Sequence, residues 1–400
     1  MITIDEHLAR ILSAARPLPA QERDLTDAQG LVLASDVISR WPTPLFDNSA
    51  MDGYAVRAAD AVAGAVLRIV ADVPAGSDED PQIGAGEAAR IMTGAAIPSA
   101  ADAVVPLEHT DLGAAVRETP PEQITVLAAP EPGAHIRRRG EDAPAGALAV
   151  ASGTELGPWQ LSAIASAGFE RASVHRAPRV AIISTGSELI APARTPRRGQ
   201  IPESNSVLLG AAVRDAGSVI ASIGTVADDP SVLREALDAV DADAVVLSGG
   251  ASVGSFDVVR AVLGGERGVR FDQVAMQPGK PQGFGVLDSR IPAFCLPGNP
   301  VSVAASFEMF VRPALRQMAG SMSIHRRLIV RVAGTDWASP KGRVQILPAV
   351  FDDETVRPAA TGGSGSHLVT SLASAEAFAI VSAEADGVAE GDPVTVMVLS

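Results

Sequence analysis

From residue 179 to 319 the chain alternates short, almost wholly apolar runs with helix-like segments. That alternation restricts the fold more than any other feature. A run that is apolar at nearly every position must be covered on both faces, and runs separated by helices are joined as parallel strands through crossovers. The runs are RVAIISTG, VIASIG, DAVVLSGG and FCLPGNP. SNSVLLGAAVRDAG follows the first, with Ser204 or Asn205 placed to cap a helix and Gly217 placed to end it. Asp229-Pro230 opens the next helix with aspartate at N-cap and proline at the first helical position, and Asn299-Pro300 repeats the device. Four strand ends thus open into loops rich in Gly, Ser, Asn and Asp. Open parallel sheets bind ligands at those carboxyl ends.

The rest of the chain is of other kinds. From 326 to 400, RLIVRVAG, RVQILPAVF, AFAIVSA and PVTVMVLS are separated by turn residues and read as a small β-barrel or sandwich. Between 45 and 139, short β-like runs such as AVLRIVADVPAG and DAVVPLEHT lie among many Gly and Pro, which marks a separate β-rich or mixed domain. Residues 1 to 44 and GPWQLSAIASAGF at 157 to 169 read as helical. If those two pieces pack together, the 45–139 domain is an insertion in a helical base.

Composition bounds the function. A formal charge of −15, with no basic stretch longer than Arg137-Arg138-Arg139, excludes nonspecific nucleic-acid binding, which needs a basic face. No apolar run approaches 18 residues, so no membrane span is expected. The first twenty residues carry Asp5, Glu6, Arg10 and Arg16 at amphipathic-helix spacing and do not resemble a secretory signal. Cys295 is the only cysteine, which rules out an internal disulfide and a cysteine metal cluster and suits a reducing, cytoplasmic setting. Its apolar flanks read as core. The six histidines show no H-E-x-x-H or H-x-H spacing, so zinc is not expected.

An anionic ligand would need a local positive site, and Lys280 supplies one. Thirty of the 32 basic residues are arginine, and Lys280 is one of two lysines, held in the turn AMQPGKPQGFGV. A lysine in such a background points to a need for a compact ammonium. The turn SGGASVGSFD follows a buried strand and opens a helix. Gly249, Gly250 and Gly254 permit positive φ and close approach, so successive amides there are placed to cradle an anion. It is neither a P-loop nor a dinucleotide fingerprint. Asp257 after this turn, Glu188 after STGS and Asp228 at a third strand end are carboxylates that would hold Mg²⁺ against phosphate oxygens. As single residues they serve equally well as caps. Ser248, Ser252 and Ser302 are candidate hydrogen-bonding partners for phosphate or base, and none pairs with a histidine as in a nucleophilic triad. Outside this domain, DNSAMDGYAV at 47 to 56 is polar for a core strand, and HIRRRGEDAPAG sets three arginines beside Glu141 and Asp142, as an oxyanion clamp or a self-neutralised turn.

Taken in order, DNSAMDGYAV, RIMTGAAIP, RRRGED, STGSEL, IPESNS, SGGASVGSFD, PGKP and LPGNPVS resemble the motifs of the MoeA family of molybdopterin molybdenumtransferases, also seen in the E domain of gephyrin. The resemblance implies a multidomain α/β chain: a three-layer α/β molybdopterin-binding domain at 175–322, an inserted lid domain at 45–139, a helical base at 1–44 plus 140–174, and a C-terminal β-barrel at 323–400. It implies a homodimer, and a reaction in which molybdate and adenylylated molybdopterin give molybdenum cofactor and AMP with Mg²⁺ required. By motif position, Asp52, Thr93, Asp142, Glu188, Asp228 and Asp257 form the catalytic set, with Glu188, Asp228 and Asp257 at the metal. Ser248, Gly249, Gly250, Ser252, Gly254, Gln277, Lys280, Pro297, Gly298, Pro300, Ser302, Arg137 and Arg138 line the substrate. Asp52 and Thr93 would close the cleft from the inserted domain, from the partner subunit in the dimer. Molybdopterin adenylyltransferase and apo-molybdoenzymes are the expected partners. In one respect the chain departs from the family, having Gln277 where many members carry lysine, which removes a charge but keeps hydrogen bonding. Competing functions are a molybdopterin adenylyltransferase, a scaffold that hands on cofactor without catalysis, and a generic Mg²⁺-dependent nucleotide hydrolase.

Overall fold

The four apolar runs form the parallel strands Arg179–Thr185, Val219–Val226, Ala244–Ser248 and Pro292–Leu296 of a six-stranded sheet. The computed structural model describes residues 1–114, 118–250, 257–264, 268–360 and 369–399. Across the sheet the strands run 219–226, 179–185, 244–248, 292–296, and then two antiparallel strands, Pro281–Val286 and Arg270–Gln273. Each central strand is buried on both faces. Val180 and Ile182 join a core with Leu209 and Val213, whereas Ala181 and Ile183 join a second core with Leu233, Leu237, Val259 and Leu263. That division explains the near-continuous apolar character of the 179–185, 244–248 and 292–296 runs, whereas the edge strand 219–226 is largely exposed.

Eight helices accompany these strands among the described residues: α1 (Ile4–Ala14), α2 (Pro158–Ser166), α3 (Asn205–Asp215), α4 (Pro230–Asp238), α5 (Val258–Leu263), α6 (Pro300–Ser306), α7 (Arg312–Met318) and α8 (Val369–Ser374). A π-helical turn, Phe307–Val311, joins α6 to α7. The Asp229 side chain caps α4 by accepting the amides of Ser231 (2.8 Å) and Val232 (3.2 Å), with Pro230 following. Such a cap contributes about 1 kcal/mol. Helix α3 differs from expectation. Ser204 occupies N-cap but its side chain makes no capping bond, and the Ser206 amide is taken instead by Glu203 Oε1 at 2.8 Å. Gly217 ends α3 with φ near 78°, as its position predicts.

The chain divides into two compact units, residues 1–35, 152–161 and 171–400 on one hand and 36–151 with 162–170 on the other. In the first unit, Leu328–Ala333, Val344–Phe351, Thr355–Pro358, Ala377–Val381 and Pro393–Val398 close into a five-stranded barrel, because 344–351 pairs with both 355–358 and 377–381, 328–333 with both 355–358 and 393–398, and 377–381 with 393–398. Of the two all-β forms open from sequence, the barrel is the one adopted. Leu347, Ala349, Val356, Ala379 and Val396 fill it, while Ile346, Phe378 and Met397 turn outward into the α/β core. The helical reading of residues 1–44 holds only for α1. Ala20–Asp24 and Val32–Leu33 pair with Arg171–His175 as a small sheet, because Gln-Glu-Arg-Asp and Val-Leu find edge partners that local pattern does not reveal.

The second unit carries a five-stranded sheet in the order Ala103–Pro106, Gly53–Val56, Glu87–Ile91, Val66–Val73, Gln123–Thr125. The segment judged too polar for a core strand divides at Gly53: polar before it, and a fully buried strand after it, with Tyr54 only 2% exposed. Any side chain at 53 would overlap the Val105 carbonyl oxygen of the neighbouring strand, so glycine is required there. No helix among the described residues is long and apolar enough to cross a membrane.

Helix α1 is fixed at both ends. Thr3 and Glu6 form a capping box, and the Gln317 amide of α7 donates to the carbonyls of Leu12 and Ala15. Ahead of it, Ile2 bonds to Gln273 and Ala275 and so ties the N-terminus to the segment leading into the Lys280 turn. Burial between α1 and Phe310, followed by the nearby Arg10 charge and opposed by Asp272, pushes the His7 imidazole down to about 4. A depressed histidine stabilises the fold in its neutral form, a contribution present above the unfolded value near 6.5 and lost as pH falls toward 4. Chemical denaturation of wild type should therefore lose on the order of 2–3 kcal/mol over that window, and His7→Leu should flatten the slope. An unchanged slope in His7→Leu would contradict this placement.

Candidate functional site

The four parallel strands end on one edge of the sheet, at Thr185, Val226, Ser248 and Leu296. After 179–185 the chain adds 219–226 on one side and 244–248 on the other, so the crossovers diverge between the 179–185 and 244–248 strands. Such a switch point leaves a crevice at the carboxyl ends. The Gly249-Gly250 turn sits there, with φ values of 91° and 66°. A Cβ on Gly249 would lie 2.5 Å from the Thr185 carbonyl oxygen, and one on Gly250 2.7 Å from Val259 Cγ2. Only glycine fits both positions.

Glu188 and Asp228 stand on neighbouring loops of this edge. Asp228 Oδ2 accepts the Ser187 amide at 2.9 Å and Ser187 Oγ accepts the Asp228 amide at 3.1 Å, a reciprocal pair that fixes both turns and leaves both carboxyl-bearing residues exposed. Asp257 caps α5, its Oδ1 accepting the Arg260 amide at 3.2 Å. Among the described residues, no three His, Cys, Asp or Glu side chains gather closely enough to hold a metal by themselves.

Lys280 belongs to the same edge. Gly283 pairs with Cys295 in the antiparallel register, so the start of the 281–286 strand lies beside the end of the 292–296 strand and the Pro297–Gly298 loop. Lys280 is half-buried, its carbonyl accepts the Val274 amide at 2.8 Å, and its ammonium makes no ion pair among the described residues. Gln277 is half-buried in a short strand that pairs with Val344 and Gln345 of the barrel. Pro297 is buried, Gly298 is exposed and Pro300 starts α6.

Two assignments change in kind. The Gly249 amide is already bonded to the Leu296 carbonyl at 3.2 Å, so it cannot donate to an anion as expected of that turn. Ser248 and Ser302, only 1% and 3% exposed, lie beneath the surface. Ser252 and Gly254 lie outside the described residues. Sequence reasoning missed three supporting residues. Glu203 is buried against Ser184 and Ser206, Asn205 Nδ2 donates to the Gly298 carbonyl at 2.7 Å, and Gln282 Nε2 donates to the Gly279 carbonyl and Ser306 Oγ, each at 2.6 Å. The only signal was their place inside IPESNS and directly after PGKP.

In the second unit, three polar runs meet. Asp52 Oδ1 accepts both the amide and the hydroxyl of Thr93 at 2.7 Å, and those bonds, amide first, hold its carboxyl below the usual range. The strand Ile136–Arg137 pairs with Asn48–Ser49, bringing the arginine run to the DNSAMDG turn. Asp47 accepts the Arg139 amide at 2.8 Å and the Arg138 guanidinium at 2.7 Å, in that order of effect, and its carboxyl is likewise lowered. Arg138 is thus neutralised by Asp47 of the DNSAMDG turn, whereas exposed Arg137 has no ion pair among the described residues. Asp142 is exposed, and its amide is anchored to the Thr43 carbonyl at 3.0 Å.

Fold and strand ends define an α/β protein of the class that receives ligands at the carboxyl edge of its sheet, joined to an all-β barrel. Three family models match in succession: the MoeA N-terminal region (domain I and II) over residues 2–168, a probable molybdopterin binding domain over 181–317, and the MoeA C-terminal region (domain IV) over 331–399. The chain belongs to the MoeA family. It is 40% identical to molybdopterin molybdenumtransferase 2 of Mycobacterium tuberculosis, with 98% of each chain covered, and 31% identical to the molybdopterin molybdenumtransferase of Haemophilus influenzae, with 99% of this chain and 98% of that one covered. A crystal structure of the molybdopterin biosynthesis moeA protein of Pyrococcus horikoshii superposes with a TM-score of 0.85 at 28% identity, each chain covered in full.

The Asp52–Thr93 bonds give a pH test. A carboxyl lowered in the fold contributes stability that is present above its unfolded value and lost as pH falls through the folded one. Thr93→Val removes the hydroxyl bond but keeps the amide bond. Its stability deficit against wild type should be present at pH 7 and shrink below about pH 4, and a deficit equal at both pH values would contradict it.

Proposed function

We propose that this protein inserts molybdenum from molybdate into adenylylated molybdopterin, releasing AMP, in an Mg²⁺-dependent reaction carried out by a homodimer. The observation that carries the reading is the switch-point crevice, where the Glu188 and Asp228 loops, a glycine turn and the Lys280 turn share one sheet edge in a chain whose three family models together span residues 2–399. Two phosphates joined through an anhydride bring negative charge to that edge. The Lys280 ammonium compensates part of it as a point charge on a turn that Gln282 fixes. Glu188 and Asp228 would hold the Mg²⁺ together with Asp257, with substrate oxygens and water completing its shell. Bound there, the ion would neutralise charge developing on the phosphoanhydride. Asp52, Thr93, Asp142 and Arg137 are proposed as further contributors, Asp52 and Thr93 from the partner subunit of the homodimer. Gln277 adds hydrogen bonding without charge, so the molybdate oxyanion meets a weaker field here than in a lysine-bearing relative.

The test is AMP release from purified adenylylated molybdopterin, with and without molybdate and Mg²⁺. Wild type should release AMP only when both are present, and Lys280→Met should lower kcat/KM by at least about tenfold, the loss of roughly one charge-assisted hydrogen bond. Gln277→Lys should lower the molybdate concentration that gives half-maximal release. AMP release indifferent to molybdate would count against the insertion reaction, ATP turnover without pterin would favour a nucleotide hydrolase, and formation of adenylylated molybdopterin from ATP would favour an adenylyltransferase.

A further inference from the structure

Glu203 has no place in the chemistry above, yet it is among the most costly residues in the α/β core. It lies between the short strand Ile201–Pro202 and α3 and is 6% exposed. Desolvating a carboxylate costs several kcal/mol unless hydrogen bonds replace the lost water. Glu203 obtains three. Oε1 accepts the Ser184 hydroxyl at 2.9 Å and the Ser206 amide at 2.8 Å, and Oε2 accepts the Ser206 hydroxyl. No arginine or lysine forms an ion pair with it among the described residues, so its described partners are hydroxyl and amide donors. A helix start needs only a Ser, Asp or Asn cap, so a buried glutamate exceeds what α3 requires.

The direction of these bonds matters. A carboxylate only accepts, so the Ser184 proton is committed to Glu203. Ser184 Oγ also lies 3.2 Å from Ser248 Oγ and can then meet it only as an acceptor, which turns the Ser248 proton inward. Ser184 and Ser248 are opposite residues in the parallel register of the two central strands, 0% and 1% exposed. The residues that follow them are Thr185 and Gly249. Thr185 Oγ1 is buried, has no partner among the described residues, and would lie 2.9 Å from a Cβ built on Gly249. Two residues after Glu203, Asn205 holds the Gly298 carbonyl of the adjoining loop. Residues 203–206 therefore contact the end of the 179–185 strand and the loop after 292–296 directly, and reach the end of the 244–248 strand through Ser184.

We propose that Glu203 is a positioning residue for this site: by absorbing the Ser184 proton it orders the Ser184–Ser248 hydroxyl chain, fixes the Gly249-Gly250 turn, and leaves the Thr185 hydroxyl as the uncommitted donor facing that turn. The consequence for catalysis rests on the molybdopterin reading; the consequence for the turn does not. Glu203→Gln keeps the shape but replaces one acceptor oxygen with an amide NH₂ donor, so at least one of the three donors loses its acceptor and the chain can reverse. Ser184→Ala cuts the chain while Ser206 still satisfies Glu203.

The experiment has two arms on the full-length chain. In ligand-free protein, amide exchange at Gly249, whose N–H bonds to Leu296, should quicken about tenfold in Glu203→Gln and in Ser184→Ala, with the 328–333 barrel strand unchanged. In AMP release, both variants should raise KM for adenylylated molybdopterin about tenfold with kcat within about threefold, and Glu203→Gln should add less than twofold in the Ser184→Ala background. Exchange at Gly249 and KM both unchanged, with only the melting temperature lowered, would overturn the proposal, as would single effects that multiply. If Gly249 exchange quickens but wild type neither binds nor turns over adenylylated molybdopterin, the functional reading fails and the positioning role stands.

Discussion

The parallel pairing of the 179–185 and 244–248 strands, with Ser184 opposite Ser248, is the constraint on which the rest of this molecule depends. Both strands are buried on two faces, so their side chains have no access to ligand along their length. Chemistry is confined to where they end. Because the chain leaves this pair in opposite directions, the turns that follow cannot close over one another, and the space between them is available to a ligand. Close approach of the Gly249-Gly250 turn to the Thr185 backbone is then a steric result of that geometry, and the need for glycine follows from it.

The loops around this edge are held by fixed polar contacts and not by bulk packing. Ser187 and Asp228 exchange hydrogen bonds, Asn205 holds Gly298, Gln282 holds Gly279, and Ile2 braces the segment before Lys280. Each bond is worth only about 1 kcal/mol. Their value is geometric, since a reacting phosphoanhydride tolerates little misplacement of the groups around it. The N-terminal helix, whose distance in sequence from the Lys280 turn suggests no link, becomes part of that support through Ile2 and Arg10, which pairs with Asp272.

Much of this was legible in the sequence where one residue type has one local use. Asp229-Pro230 capped its helix, the apolar runs became the parallel strands, and the turn bearing Lys280 came to the strand-end edge because 281–286 pairs antiparallel with 292–296. What was not legible depended on partners distant in the chain. The Gly249 amide is taken by Leu296, 47 positions away, Ser248 Oγ lies against Ser184 Oγ, and residues 20–33 became strands only because 171–175 offered them an edge. Tyr54 was misjudged for a related reason: a polar turn and a buried strand meet at Gly53, and averaging over both concealed the boundary. Motif order identified the family, whereas the particular hydrogen bonds that build the site needed coordinates.

The central claim is that the strand-end crevice receives the adenylylated pterin. Hydrogen exchange of the full chain, with and without adenylylated molybdopterin and Mg²⁺, tests it most directly. The expected result is protection concentrated in peptides covering 186–188, 227–229, 249–250, 279–281 and 297–299, with the 328–333 strand unaffected. Binding accompanied by protection elsewhere, and none at these five turns, would contradict it.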